Sequence, residues 1–181
     1  MANTFAEYIR QSLKDAHETF EGTMKDVTSE VANYQPEGKA LSIAAAYVHT
    51  IVSEDGMLNG WIRKIQPLSE GEWANKMGLS APHPAMDADW EKNYTQWSKT
   101  VKVDLEKFKK YAEAVYKQSD DFLAGLNDRD MVEKKVDLSA WQMGEWPLAR
   151  FVIRFLISHV DSLTGEISTV KRLQGLKGYP F

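Results

Sequence analysis

The chain has 181 residues, 43% hydrophobic and 27% charged, with a formal net charge of -4 and a pI near 5.6. That size fits one domain with a substantial core, and the acidic balance argues against generic binding to nucleic acid or anionic lipid. Cysteine is absent, which removes disulfides, thiolate metal sites and a Cys nucleophile.

Residues 4–33 read as a helix. Phe5, Ile9, Leu13, Ala16, Phe20, Met24, Val27 and Val31 recur at helical spacing, and Thr4 with Glu7 forms a capping box. Residues 1–10 lack a basic-then-apolar layout, so no signal peptide is expected there. Pro36 and Gly38 end the element. Residues 41–65 read as a second helix, with Ile43, Tyr47, Ile51 and Leu58 on one stripe and His49 at its edge. Residues 66–89 contain Pro67, Gly71, Gly78, Pro82 and Pro84 and read as a long irregular connection. Trp73 and Met77 predict that part of it packs.

A third helix is expected over 90–126, carrying Leu105, Phe108, Ala112, Val115, Phe122 and Leu126. A second connection follows over 131–144, with an extended piece at 135–138. The fourth helix spans 147–173, with Pro147 in its first turn and a broad apolar face from Leu148 to Leu173. Four long helices and two long connections predict a single all-α domain over residues 1–181, a four-helix bundle. No run suffices for a membrane span, and the cytoplasm is the expected location.

The chain has four histidines. His17 lies among polar neighbours and His83 between two prolines, so both read as exposed or edge residues. His49 and His159 lie on or beside apolar faces of helices that reach the core. Each is either a core-edge histidine satisfied by one hydrogen bond, or a metal ligand or acid/base group. Glu54 and Asp55 follow His49, and Asp161 and Glu166 follow His159, without an obvious ligand pair. No phosphate loop, nucleophile elbow or zinc-protease helix is present.

The closing run from His159 through Gly165-Glu166 to Phe181, and the run from Ser42 to His49 followed by Glu54-Asp55, resemble the DinB-like (damage-inducible B) superfamily. The resemblance implies a four-helix bundle with one divalent metal, zinc, nickel or iron, in a thiol transferase or hydrolase-like enzyme that often forms a homodimer. It further implies His49 and His159 as metal ligands. The third family ligand, four residues after His159, falls on Leu163, which cannot ligate. A replacement would have to come from elsewhere, such as His17 or a loop carboxylate. The alternative is a non-catalytic module, binding a small molecule or a partner, that has lost the metal.

Overall fold

The computed structural model describes residues 4–85 and 88–181. Residues 1–3 of the N-terminal stretch, and Met86 and Asp87 of the predicted loop 66–89, lie outside the described residues. The bundle is built from α1 (Phe5–Met24), α3 (Ile43–Asp55), α5 (Leu105–Ala124) and α8 (Ser158–Leu173), with α1 and α3 each packed against both α5 and α8. Shorter α-helices are α2 (Ser29–Ala32), α4 (Trp90–Thr100), α6 (Asp128–Glu133) and α7 (Leu148–Phe151). Strands β1 (Lys135–Asp137) and β2 (Glu145–Pro147) pair antiparallel, with Val136 opposite Trp146.

α1 begins as its capping box predicts. The Thr4 amide donates to Glu7 Oε2 at 2.9 Å and the Glu7 amide donates to Thr4 Oγ1 at 3.2 Å. It ends earlier than the pattern suggests. The chain breaks after Met24 and restarts at Thr28, whose side chain caps α2.

The expected helix over 90–126 is two helices. Val101 and Val103 are extended, Val103 bridges Leu79, and Asp104 caps α5 through the Lys107 amide. β-branched residues on either side of Lys102 favour this break. The fourth long segment is also modified. Pro147 ends β2 rather than entering the helix, and Leu148 begins α7.

Two segments are π-helical, Gly56–Arg63 continuing α3 and Val152–Ile157 joining α7 to α8. An i→i+5 ladder is strained and concentrates at functional sites. The first segment closes on Lys64 at φ 56° and on an Ile65 amide that donates to the Asn59 carbonyl at 2.9 Å.

The core divides into two apolar clusters. One gathers Phe20, Ile43, Tyr47, Ile51, Phe108, Tyr111, Val115 and Ile167, and the other Ile9, Leu13, Leu123, Met131, Leu148, Phe151 and Leu156. At the waist between them lie buried polar groups: His17, Glu54, Asp55, Asn59 and Ser119. The first π-helical segment supplies one of these groups, Asn59.

The long connection is tied down at two points. The Asp55 carboxylate accepts from the Leu68 and Ser69 amides at 2.9 and 2.8 Å. Further on, the Asp104 amide donates to the Gly78 carbonyl and the Ser80 amide to the Lys102 carbonyl. Gly78 sits at φ +75°, where an added Cβ would lie 2.9 Å from the Cβ atoms of both Asp104 and Lys107. Gly78→Ala is therefore expected to cost about 2–4 kcal/mol, combining left-handed strain with overpacking. Chemical denaturation of the variant tests this; a loss below about 1 kcal/mol would show that the loop yields at this point.

Candidate functional site

His49 stands on α3, one turn before Ser53, and His159 stands in the first turn of α8. The structure brings these two together, with ring centroids 5.1 Å apart at 82°. It adds a third ring that the sequence left at the surface. His83, held between Pro82 and Pro84, stacks on His49 at 5.5 Å and 17°. His83 is half-buried, packed edge-on against Trp97 at 4.8 Å and near Trp90 and Tyr94 of α4. His83 is thus a half-buried residue among aromatic rings rather than an exposed one. A lone His-Pro motif in a loop carries no periodicity, so only the loop's two anchors reveal where it lands.

The ring nitrogens are oriented. The His83 Nδ1 donates to the Pro84 carbonyl at 3.0 Å, which leaves Nε2 with its lone pair. That Nε2 faces His49 Nδ1 at 3.3 Å, and Ser53 Oγ approaches the same Nδ1 at 3.3 Å. Burial depresses all three imidazoles. His49 falls to about 3, through burial and then the neighbouring His159 and His83. His83 falls to about 4 through burial, partly offset by its carbonyl bond. His159 is lowered by burial, with the Glu54 charge opposing. All three are consequently neutral at pH 7.

This has a pH consequence. A histidine with a depressed folded value contributes fully above the unfolded value near 6.5. As pH falls from there towards about 4, the unfolded chain takes up protons that the folded site refuses. Each such imidazole costs up to about 1.4 kcal/mol per pH unit in that window. Melting temperature is expected to fall between pH 6.5 and 4.5, and His49→Phe to flatten the fall; an unchanged slope in that variant would refute the assignment.

His17 is also buried, at 8% exposure, rather than at the surface. Its Nε2 donates to Glu54 Oε2 at 2.7 Å and its ring stacks on Tyr116 at 4.0 Å. Ser119 Oγ donates to the other Glu54 oxygen. His17 therefore faces the waist carboxylate and not the three-histidine group, so it does not fill the position that Leu163 leaves. Glu54 and Asp55 are 1% and 0% exposed, although carboxylates usually mark solvated faces. The helical stripe carried the signal, because Glu54 and Asp55 fill the gap between Ile51 and Leu58. Leu163 is buried in the core, one turn past His159. Asp161 and Glu166 are exposed, and burial of their surroundings raises both carboxyls.

The donor chemistry fits a divalent ion. Neutral imidazoles are the ligating form, and a carbonyl holding the far nitrogen is the usual support for a ligating histidine. Two nitrogens on one tetrahedral zinc at about 2.0–2.1 Å stand about 3.3–3.4 Å apart; His49 Nδ1 and His83 Nε2 are at 3.3 Å. Among the described residues no three His or carboxylate donors converge tightly enough to form a closed cage. His159 would have to turn its ring towards the other two. The Tyr94 hydroxyl, buried with no hydrogen-bond partner, belongs to a ring 4.9 Å from His49. Burial, then the Glu166 charge, holds its phenol above the ordinary range.

Beside the histidines lies a cavity of about 630 Å³. Trp61, Trp90, Trp141 and Phe155 line it, together with Gly56, Met57 and Gly60 of the first π-helical segment. This size suits a small organic ligand.

In known proteins, no curated sequence matches significantly. The solved structure of a conserved protein from Enterococcus faecalis is similar at a TM-score of 0.78 and 20% identity, over 95% of this chain and 98% of that one. At that identity the likeness concerns the fold. No described helix is long and apolar enough to cross a membrane. The DinB superfamily profile matches residues 12–162, a span that holds all four histidines and both π-helical segments, and the chain belongs to the DinB superfamily.

Proposed function

We propose that the protein is a divalent-metal-dependent enzyme of the thiol-transferase or hydrolase type, with His49 and His159 as metal ligands. His83 takes the place of the donor that Leu163 cannot supply. The observation that carries this reading is the 3.3 Å approach of His49 Nδ1 to His83 Nε2. That distance is long for a hydrogen bond and matches two corners of a tetrahedral site. Zinc, nickel or iron there would polarise a thiol, water or carbonyl as a Lewis acid. The chain's own residues orient the donors: Pro84 fixes His83, Ser53 meets His49, and the aromatic residues of α4 limit water. Elemental analysis of untagged protein tests the proposal, with about one ion per chain expected. Metal-free protein whose melting temperature ignores added zinc, nickel and iron would sink it.

The burial of Leu163 at the family's ligand position favours a second reading, a non-catalytic module that binds a small molecule. Stoichiometric metal would count against it. The homodimer that the family suggests is also proposed here; light scattering that reports only monomer at high concentration would remove it.

A further inference from the structure

A second cavity, of about 340 Å³, lies in the groove between α1 and α5 and shares no lining residue with the larger one. Leu13, Leu123 and the Tyr116 ring give it apolar walls, and His17 lies among them, stacked on Tyr116 at 4.0 Å. The imidazole is fixed from behind. Its Nε2 donates to Glu54 Oε2 at 2.7 Å, and Ser119 Oγ donates to the other Glu54 oxygen. A carboxylate anchored in this way sets the tautomer and orientation of the ring and leaves Nδ1 with its lone pair. Among the described residues no group donates to that Nδ1, and it is not sealed off as the Tyr94 hydroxyl is. The charges on the walls are already answered. Arg10 holds Asp120 through two bonds of 2.6 and 2.7 Å, Lys14 faces Glu18, and Lys117 pairs with Asp121. Glu21 accepts from the Tyr47 and Tyr116 hydroxyls at 2.9 and 2.8 Å.

We infer that this groove is a second small-molecule site, taking a small phenol whose hydroxyl donates to His17 Nδ1 and whose ring lies against Leu13, Leu123 and Tyr116. The volume suits a ligand of one or two rings. Nδ1 is the polar atom of the site that lacks a protein partner, so it sets the ligand's polar group. A hydrocarbon would cover that nitrogen and leave it without a hydrogen bond, at the cost of its lost hydration. An aliphatic alcohol brings no flat face to the Tyr116 ring. A free anion or cation would have to compete with the ion pairs that already engage Arg10, Lys117 and Asp120. No residue of this site is proposed as a metal ligand, so the site stands whether or not the three histidines hold an ion.

Nuclear magnetic resonance of the full chain, with isotope-labelled histidine and leucine, reads this site separately from the larger cavity. The His17 ring is identified by its proximity to Tyr116. Its Nδ1 resonance and the Leu13 and Leu123 methyl resonances are expected to move together and saturate with p-cresol. p-Xylene, in which a methyl group of similar size replaces the hydroxyl, should bind at least about fivefold more weakly, the worth of one net hydrogen bond. A merely apolar groove would take p-xylene at least as well, since it is the more hydrophobic of the two. His17→Gln keeps a donor for Glu54 and removes Nδ1, and the preference for p-cresol at the leucine methyls should disappear in it. Should that variant not fold, the two titrations of the unmodified protein still decide. Trp141→Ala, a change in the larger cavity, should leave the response unaltered. A His17 resonance indifferent to p-cresol, equal or tighter binding of p-xylene, a preference that survives His17→Gln, or a response lost in Trp141→Ala would each overturn the inference.

Discussion

Asp55→Ala is expected to destabilise the fold by about 3–5 kcal/mol, the largest single-site effect outside the hydrophobic core. The carboxylate is wholly buried and accepts four bonds. Asn59 Nδ2 and Tyr111 Oη donate at 2.8 Å each, and the Leu68 and Ser69 amides donate at 2.9 and 2.8 Å. Truncation leaves two backbone amides and a buried phenol without an acceptor, and such orphaned groups cost about 1–3 kcal/mol each before relaxation. For a chain of this size that lowers the melting temperature by on the order of 10 °C. Tyr111→Phe removes one donor while the other three stay, so about 1 kcal/mol is expected. Hydrogen exchange should rise over residues 66–85 in Asp55→Ala. A melting temperature within 2 °C of the unmodified protein would show that water replaces the carboxylate freely.

Zinc, at about a hundredfold excess over its dissociation constant, is expected to stabilise the protein by about 2.7 kcal/mol, or roughly 5–10 °C. His49→Ala should abolish that rise, because it removes the ring that faces both His83 and His159. His83→Ala should weaken zinc at least about tenfold, since two imidazoles hold an ion less well than the three protein ligands of ordinary catalytic sites. Leu163→His places an imidazole one turn beyond His159 on the same helix face, and should tighten zinc by about tenfold or more. If His83→Ala binds zinc as the unmodified protein does, His83 is not a ligand. Should Leu163→His make no difference, the register inferred for the last helix is wrong.

The bundle was legible because its signals are local. The stripes from Ile9 to Phe20 and from Val160 to Val170 each need only one helix period. The capping box at Thr4 and the extended piece at Lys135–Asp137 appear where the residue pattern places them. The breaks at Lys25 and at Val101–Asp104 were missed because apolar spacing continues across them. Their signals were a Thr28 cap and a β-branched pair, each weak beside a periodic run. His49 and His159 were each legible as lying at the edge of a core-facing helix, and the family resemblance made them a pair. His17 was misjudged because its sequence neighbours are polar, and Glu54 and Asp55 offered no obvious ligand pair; in the fold each answers a distant partner, His17 with Glu54 and Asp55 with Tyr111 and the loop amides.

Helical periodicity and capping alone determined an all-α chain and placed His49 and His159 on or beside apolar helix faces; their reading as a pair came from the family resemblance. Only the tertiary structure decided what stands with them. His83 arrives through a connection fixed at Asp55 and at Gly78–Val103, contacts between residues far apart in the chain. A loop without a repeating pattern has no sequence signal for its landing point; pairing of its backbone amides and carbonyls with distant partners sets it.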